Sequence, residues 1–383
     1  MSVIVHSARV VDGGVVTENG WVRFDDGRVA ASGLGDTWQT EQGITDAVDA
    51  TDAAGQGAVL TPGFVDLHGH GGGGFAYDDG VEAIRAARAV HRAHGTTRAV
   101  ISLVTAELDT LAERVRTVAA LTRTDPDVLG SHLEGPFLDQ GHKGAHDPAL
   151  LRPPTAAALD ALLEAGAGTV RQITLAPELA GGLDAVRRVV AAGAAVAVGH
   201  TGGDLAATAA AFDAGATILT HAFNGMPGLH HRAPGPVGAA LSDSRVTIEA
   251  IADGVHLHPS VVRILFAAAP GRVALITDAM AAACAPDGRY RLGALDVDVE
   301  NGVAHLAGGT TIAGSTLTQD AALRIAVAAG VPLGSAVHGV TRAPAIAIGR
   351  DDLGSFDRGA VGDAVLLDAD LRVRRVWVAG APA

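Results

Sequence analysis

Two histidines one residue apart, His68 and His70, close the segment Pro62-Gly-Phe-Val-Asp66-Leu-His68-Gly-His70. In an extended chain, residues two apart point to the same side, so both imidazoles can converge on one cation. Further on, His132-Leu-Glu134-Gly-Pro, Gly199-His200-Thr, Thr220-His221-Ala-Phe-Asn224 and Thr277-Asp278-Ala each set a His, Glu or Asp where an apolar run ends. Taken singly, each has an ordinary explanation: a satisfied core histidine, a surface pair, a glutamate that caps the next segment, an aspartate at a helix N-cap. Unrelated residues would scatter over both ends of such runs, whereas these gather at one end. The joint pattern points to a metal site built from imidazole nitrogens and carboxylate oxygens.

The chemistry follows from the ligands. A divalent ion lowers the pKa of a bound water from roughly 16 to about 7 and acts as a Lewis acid on a carbonyl. Glu134, His200 and His221 supply three ligands of mixed type and leave a position open, while His68 and His70 hold a second ion. One ion or two are expected, with zinc the first candidate and iron, manganese or cobalt suited by the same donors. Asp278 is the candidate general base and acid, taking a proton from water and handing it to a departing amine, and it ligates an ion if two are bound. The stretch Gly69-His-Gly-Gly-Gly-Gly74 matches a dinucleotide fingerprint and contains an esterase-like His-Gly-Gly-Gly. No acidic residue follows at about the twenty-residue distance a dinucleotide site needs. No G-x-S-x-G elbow occurs in the chain either. A flexible loop that lets the backbone approach a ligand is expected there.

These groups need a frame. Short β-branched runs recur at Val59 to Asp66, Thr97 to Val104, Val128 to Leu133, Val170 to Leu175, Ala195 to Val198, Thr217 to Thr220, Val246 to Ile251 and Val273 to Thr277. Ala-rich segments of helical period separate them, with a reduced helix expected in the short Pro/Gly-rich link between the sixth and seventh. The fold class is α/β, a closed (β/α)8 TIM-like barrel; an open doubly wound sheet would not need polar residues at most strand ends. Residues 1–58 and 350–383 read as alternating strands with Gly-rich turns, pairing into a small β-sandwich domain, and 59–349 form the barrel inserted between them. A hairpin is expected at Asp287–Ala307, and helices at Thr318–Ala329 and Leu333–Ile348.

Composition narrows the function classes. The 383 residues include 28 Lys+Arg against 42 Asp+Glu, a formal charge of −14, and no basic run, which argues against nucleic-acid binding. Lys143 is the sole lysine, against 16 histidines. The single cysteine, Cys284, fits a reducing compartment and is expected to be inert for want of a thiol partner. No basic n-region opens the chain and no window of eighteen apolar residues interrupts it, so a cytoplasmic protein without a membrane span is expected.

The ordered set His68-x-His70, Glu134, His200, His221, Asp278 resembles the amidohydrolase superfamily. Local wording is similar to its N-acetylglucosamine-6-phosphate deacetylase family: His132-Leu-Glu-Gly-Pro-Phe, Lys143-Gly-Ala-His146, Thr220-His-Ala-Phe-Asn-Gly-Met226, Ala252-Asp-Gly-Val-His256, Thr277-Asp-Ala-Met and Ala313-Gly-Ser-Thr-Leu-Thr318. The likeness runs nearly the whole length. It implies amide hydrolysis of an amino-sugar phosphate, with Glu134, His200 and His221 as metal ligands. It also places Ala145, His146, Asn224, Gly225, Arg232, His256, Ile312, Ala313 and Gly314 around the sugar phosphate, with anion-binding residues shared across a homodimer. On their own, His146 and His256 read equally well as donors to hydroxyl, carbonyl or phosphate and as loop histidines. An isolated Arg232 is by default a surface ion pair, although its planar fork suits a phosphate. The galacto epimer, a ring amide, an N-acyl amino acid and a non-catalytic sugar-phosphate binder are the alternatives. Retention of Asp278 argues against the last. His142, His230 and His231 are departures, expected as solvated loop residues.

Overall fold

The computed structural model describes residues 2–383. Eight parallel strands pair in chain order: β1 (Phe64–Asp66), β2 (Thr96–Val104), β3 (Val128–Glu134), β4 (Val170–Leu175), β5 (Ala195–Val198), β6 (Ile218–Leu219), β7 (Thr247–Ile251) and β8 (Val273–Ile276). Helices cover their outer face: α1 (Val81–Ala93), α2 (Leu108–Leu121), α3 (Ala156–Gly166), α4 (Gly182–Ala191), α5 (Leu205–Asp213), α6 (Gly235–Ser242), α7 (Pro259–Ala268) and α8 (Gln319–Ala328). Strands covered on both faces read as near-continuous apolar runs, and every residue of β2 and β3 is buried. This is the α/β barrel that the alternating runs predict, with a reduced α6 of eight residues between β6 and β7.

No strand ladder joins β1 to β8 among the described residues. Side chains close that seam. Gln319, the fully buried first residue of α8, donates from Nε2 to the carbonyls of Val65 (2.9 Å) and Leu275 (3.1 Å). Asp66 accepts from the Thr277 hydroxyl at 2.6 Å, and the Asp278 N–H donates to the His68 carbonyl at 2.7 Å.

A second sheet of eight strands gathers both chain ends, Ser2–Asp12, Val15–Asp25, Arg28–Leu34, Asp46–Asp49 and Val59–Pro62 from one side and Ala364–Leu367, Val373–Val378 and Ala381–Pro382 from the other. Val22, Phe24, Leu60, Leu366 and Trp377 give it an apolar core of its own. The run expected as one barrel strand, Val59 to Asp66, is therefore divided: Val59–Pro62 pairs with Ala364–Leu367, and only Phe64–Asp66 enters the barrel. Gly63 sits at the division, where a Cβ would lie 2.2 Å from Thr97 Oγ1. Beside it, Arg98 of β2 and Asp363 form a buried ion pair at 2.6 Å that ties the sheets together.

Three further expectations change. The hairpin after β8 has three antiparallel strands, Gly288–Leu292, Leu295–Glu300 and Val303–Leu306. The last helical stretch breaks at Thr341 into Leu333–Val340 and Arg342–Ala347, because Pro344 has no N–H for the Val340 carbonyl. The Gly-rich loop is tied down by backbone bonds: Gly71–Gly72 pairs with Phe75–Ala76, and the N–H groups of His70, Gly71, Gly73 and Gly74 donate to carbonyls of Ala279, Ala281 and Ala283 at 2.7–3.0 Å. No helix is long and apolar enough to cross a membrane.

Candidate active site

Every expected ligand stands at the C-terminal end of a barrel strand. His68 and His70 follow β1, Glu134 ends β3, and His200, His221 and Asp278 each lie two residues beyond β5, β6 and β8. Those three have φ of 47°, 23° and 48°, a region that side-chain-bearing residues seldom adopt. Surrounding hydrogen bonds hold the strain, among them the Ala222 N–H to the Glu249 carbonyl at 2.8 Å.

Glu134 is the hub. Its Oε1 lies 3.3, 3.1 and 3.2 Å from Nε2 of His68, His200 and His221, and its Oε2 lies 3.1 and 3.5 Å from Nε2 of His70 and His146. Asp278 Oδ1 is 3.5 and 3.3 Å from Nε2 of His68 and His70. None of these residues is more than 8% exposed. Two sets of donor atoms each fall within 4.8 Å, His68/His70/Asp278 and Glu134/His146/His200. His146, expected on the substrate side, thus stands among the donors.

The hydrogen bonds fix which nitrogen carries the proton. His200 Nδ1 donates to the His142 carbonyl at 2.9 Å, because a carbonyl can only accept. The Thr105 hydroxyl donates to the Glu134 carbonyl, so His146 Nδ1 must be the donor in its 2.9 Å contact with Thr105. In its neutral form each of these rings turns a bare Nε2 toward Glu134, the form in which an imidazole binds a metal. His200 and His221 Nε2 approach to 3.0 Å, and those of His68 and His70 to 3.2 Å. Lone pairs crowded on a carboxylate repel unless positive charge lies between them, and the mixed N/O set suits a divalent cation. The carboxylates draw positive charge onto the cluster. Burial pushes His68 and His70 down, but Glu134 and Asp278 outweigh it, raising His68 well above its ordinary value and His70 to about 9. Burial pushes Asp278 up, yet His68 and His70 hold it at about 2. The residues present fit the metal centre.

A cavity of about 280 Å3 opens above the cluster, lined by His70, Glu134, His146, His200, His221 and Asp278 together with Ala145, Asn224, Gly225, His256, Ile312 and Gly314. Leu292, Thr310 and Thr311 join them, unforeseen because the insertion carries no chemical motif. Gly225 must be glycine: at φ 60° a Cβ would sit 2.9 Å from His200 Nδ1. His256 Nδ1 lies 2.7 Å from Asp253 Oδ2, and although burial disfavours its charge, that carboxylate raises it. A larger groove of about 860 Å3 between α3 and α4 offers only surface charges such as the Arg188–Asp160 pair.

Other expected residues lie elsewhere. Ala313 packs with Val104 and Met280 and does not line the cavity. Arg232 is exposed, 2.6 Å from His231 Nε2, and outside this cavity; His230 Nδ1 accepts its N–H. His142 donates from Nδ1 to Asp139 at 2.7 Å, while its carbonyl orients His200, so it is more than a solvated loop residue. Cys284 is exposed and free of any disulfide, its Sγ 3.4 Å from His94 Nε2. Two residues under the site were missed. Asp66 Oδ1 accepts from the His68 N–H, and Glu249 Oε2 lies 3.3 Å from His68 Nδ1. Their signal was a single carboxylate inside an apolar strand run.

An amidohydrolase family model matches residues 59–382. N-acetylgalactosamine-6-phosphate deacetylase of Escherichia coli O157:H7 is 40% identical over 96% of each chain. N-acetylglucosamine-6-phosphate deacetylase of Bos taurus is 36% identical over 85% of this chain and 83% of its own. Among solved structures, a variant N-acetyl-D-glucosamine-6-phosphate deacetylase of Mycobacterium smegmatis, in complex with N-acetyl-D-glucosamine-6-phosphate, superposes with a TM-score of 0.92 at 42% identity, covering 100% of this chain and 98% of that one. By fold, donor cluster and descent alike, the chain belongs to the amidohydrolase family.

Proposed function

We propose that this chain is a metal-dependent deacetylase that hydrolyses N-acetylglucosamine 6-phosphate to glucosamine 6-phosphate and acetate. The observation that carries the reading is Glu134 meeting imidazoles from both sides, with Asp278 on the same cavity. Glu134, His200 and His221 would hold a divalent ion (zinc first), and His68, His70 and Asp278 a second; the ion would supply Lewis-acid polarisation of the acetamide carbonyl and a more acidic water. Asp278 takes the proton of the attacking water and delivers it to the amide nitrogen as the C–N bond breaks. His256, whose charged form Asp253 favours against burial, faces the sugar phosphate, and Ala145, His146, Asn224, Gly225 and the Ile312–Gly314 stretch enclose the sugar. Arg232, exposed on its own chain, serves the phosphate pocket of a neighbouring copy in a cytoplasmic homodimer.

The 40% identical relative that acts on the galacto epimer favours N-acetylgalactosamine 6-phosphate as the second reading. Acetate release from N-acetyl hexosamines with and without the 6-phosphate, on protein of measured metal content, decides. Turnover confined to the phosphorylated gluco compound is expected. Equal cleavage of unphosphorylated sugar would remove the phosphate from the reading, and preference for the galacto epimer would replace it with the second.

A further inference from the structure

We propose that Glu249 is a positioning residue that sets the affinity of the ion position formed by His68, His70 and Asp278. The proposal rests on the reading of the cluster as a two-ion centre. Glu249 lies in the middle of β7 with no exposed surface. Among the described residues no lysine or arginine pairs with it. Its Oε1 accepts from Gln172 Nε2 at 2.8 Å, and its Oε2 meets His68 Nδ1 at 3.3 Å and the His221 N–H at 3.4 Å. A carboxylate removed from water is strongly disfavoured unless opposite charge answers it. Here the carboxylate backs the His68 ring, whose Nε2 opens onto the ion position shared with His70 and Asp278.

The four imidazoles of the proposed two-ion centre differ in what holds their far nitrogen. His68 has the carboxylate of Glu249, and His200 has the carbonyl of His142. The Nδ1 atoms of His70 and His221 are buried without a hydrogen-bond partner. At the position of His68, His70 and Asp278, Glu249 is therefore the one hold on the far nitrogen of a ring among the described residues. A carboxylate behind an imidazole fixes its tautomer and strengthens its donor nitrogen. At the position of Glu134, His200 and His221 the His200 ring is held by the His142 carbonyl, and Glu249 reaches that position only through the His221 backbone N–H at 3.4 Å, a contact that a glutamine oxygen can keep. Loss of Glu249 should weaken one ion and spare the other.

The full-length chain, stripped with chelator and titrated with Zn2+ against a chromophoric competitor, gives both affinities, with the metal count checked by mass spectrometry. Wild type should bind two ions. Glu249→Gln should weaken one of them by about 10- to 100-fold and leave the other unchanged. Glu249→Asp, which keeps the charge, should recover part of the loss, and it decides the matter alone if the glutamine variant does not fold. Unchanged affinities, equal weakening of both ions, or a wild type that binds one ion would each overturn the proposal. Turnover is not the readout, so a wild type that binds two ions yet releases no acetate would remove the deacetylase reading and leave the role of Glu249 standing.

Discussion

Asp278 combines a buried, partly left-handed backbone position with a carboxylate that two imidazoles and one cavity compete for. Next to His68 and His70 it stays ionised, which a proton acceptor requires, and its oxygens reach the space where a substrate amide would lie. Asn has the same shape but no capacity to take a proton. Asp278→Asn is therefore expected to keep the ion held by Glu134, His200 and His221 while turnover falls by about 10²- to 10⁴-fold, the usual range for a general acid–base. Metal analysis and steady-state kinetics on one preparation check it. Near-normal turnover would take the proton transfer away from Asp278. The clustered imidazoles and carboxylates were legible in the sequence because each stands at the end of an apolar run, so their shared position could be counted. Glu249 and Asp66 were not, since a lone carboxylate within a strand names no partner until β1, β7 and β8 come together. Arg232 shows the opposite case, a residue with suitable chemistry that lies exposed and outside the site cavity of its own chain.

At the scale of elements, the strands were readable because burial on both faces leaves an apolar signature, and seven of the eight runs match their strands to within a residue or two at each end. The first did not, because its apolar character continues unbroken from the terminal sheet into the barrel, and only the space-limited Gly63 marks the change. The closing seam was equally hidden. It depends on Gln319, which reaches across 254 residues of sequence to Val65 and bridges β1 to β8 with two hydrogen bonds. Gln319→Met keeps the side-chain length and removes the donor. Each carbonyl left unpaired in the core costs about 1–3 kcal/mol, so a clear fall in the urea midpoint is expected. Amide exchange should quicken in β1 and β8 ahead of β4 and β5. A midpoint equal to wild type would mean that the Asp66–Thr277 bonds close the barrel unaided.

Over the whole molecule, the same seam carries a charged strap on the outside. His94 ends α1, Asp320 opens α8, and their 3.1 Å contact joins the first barrel unit to the last, with Arg324 on the second carboxylate oxygen at 2.7 Å. Asp320 and the Cys284 sulfur push His94 up to about 10, while His94, Thr318 and Arg324, against the pull of burial, hold Asp320 at about 2. These are two views of one interaction, so its contribution is counted once. A histidine whose folded value exceeds its unfolded value of about 6.5 stabilises fully below 6.5, and the benefit fades as pH rises through about 10. On the acid side it persists until Asp320 titrates, toward about 2. The His94 side chain is 37% exposed, which screens the effect and calls for a difference measurement. The gap in thermal midpoint between wild type and His94→Gln should be widest near pH 6 and close by about pH 10, with other titrations cancelling in the subtraction. Cys284→Ser in both backgrounds tests whether the thiol contributes. A gap that does not change between pH 6 and 10 would show that the strap acts through packing, without charge, and that the barrel is held shut by its buried bonds alone.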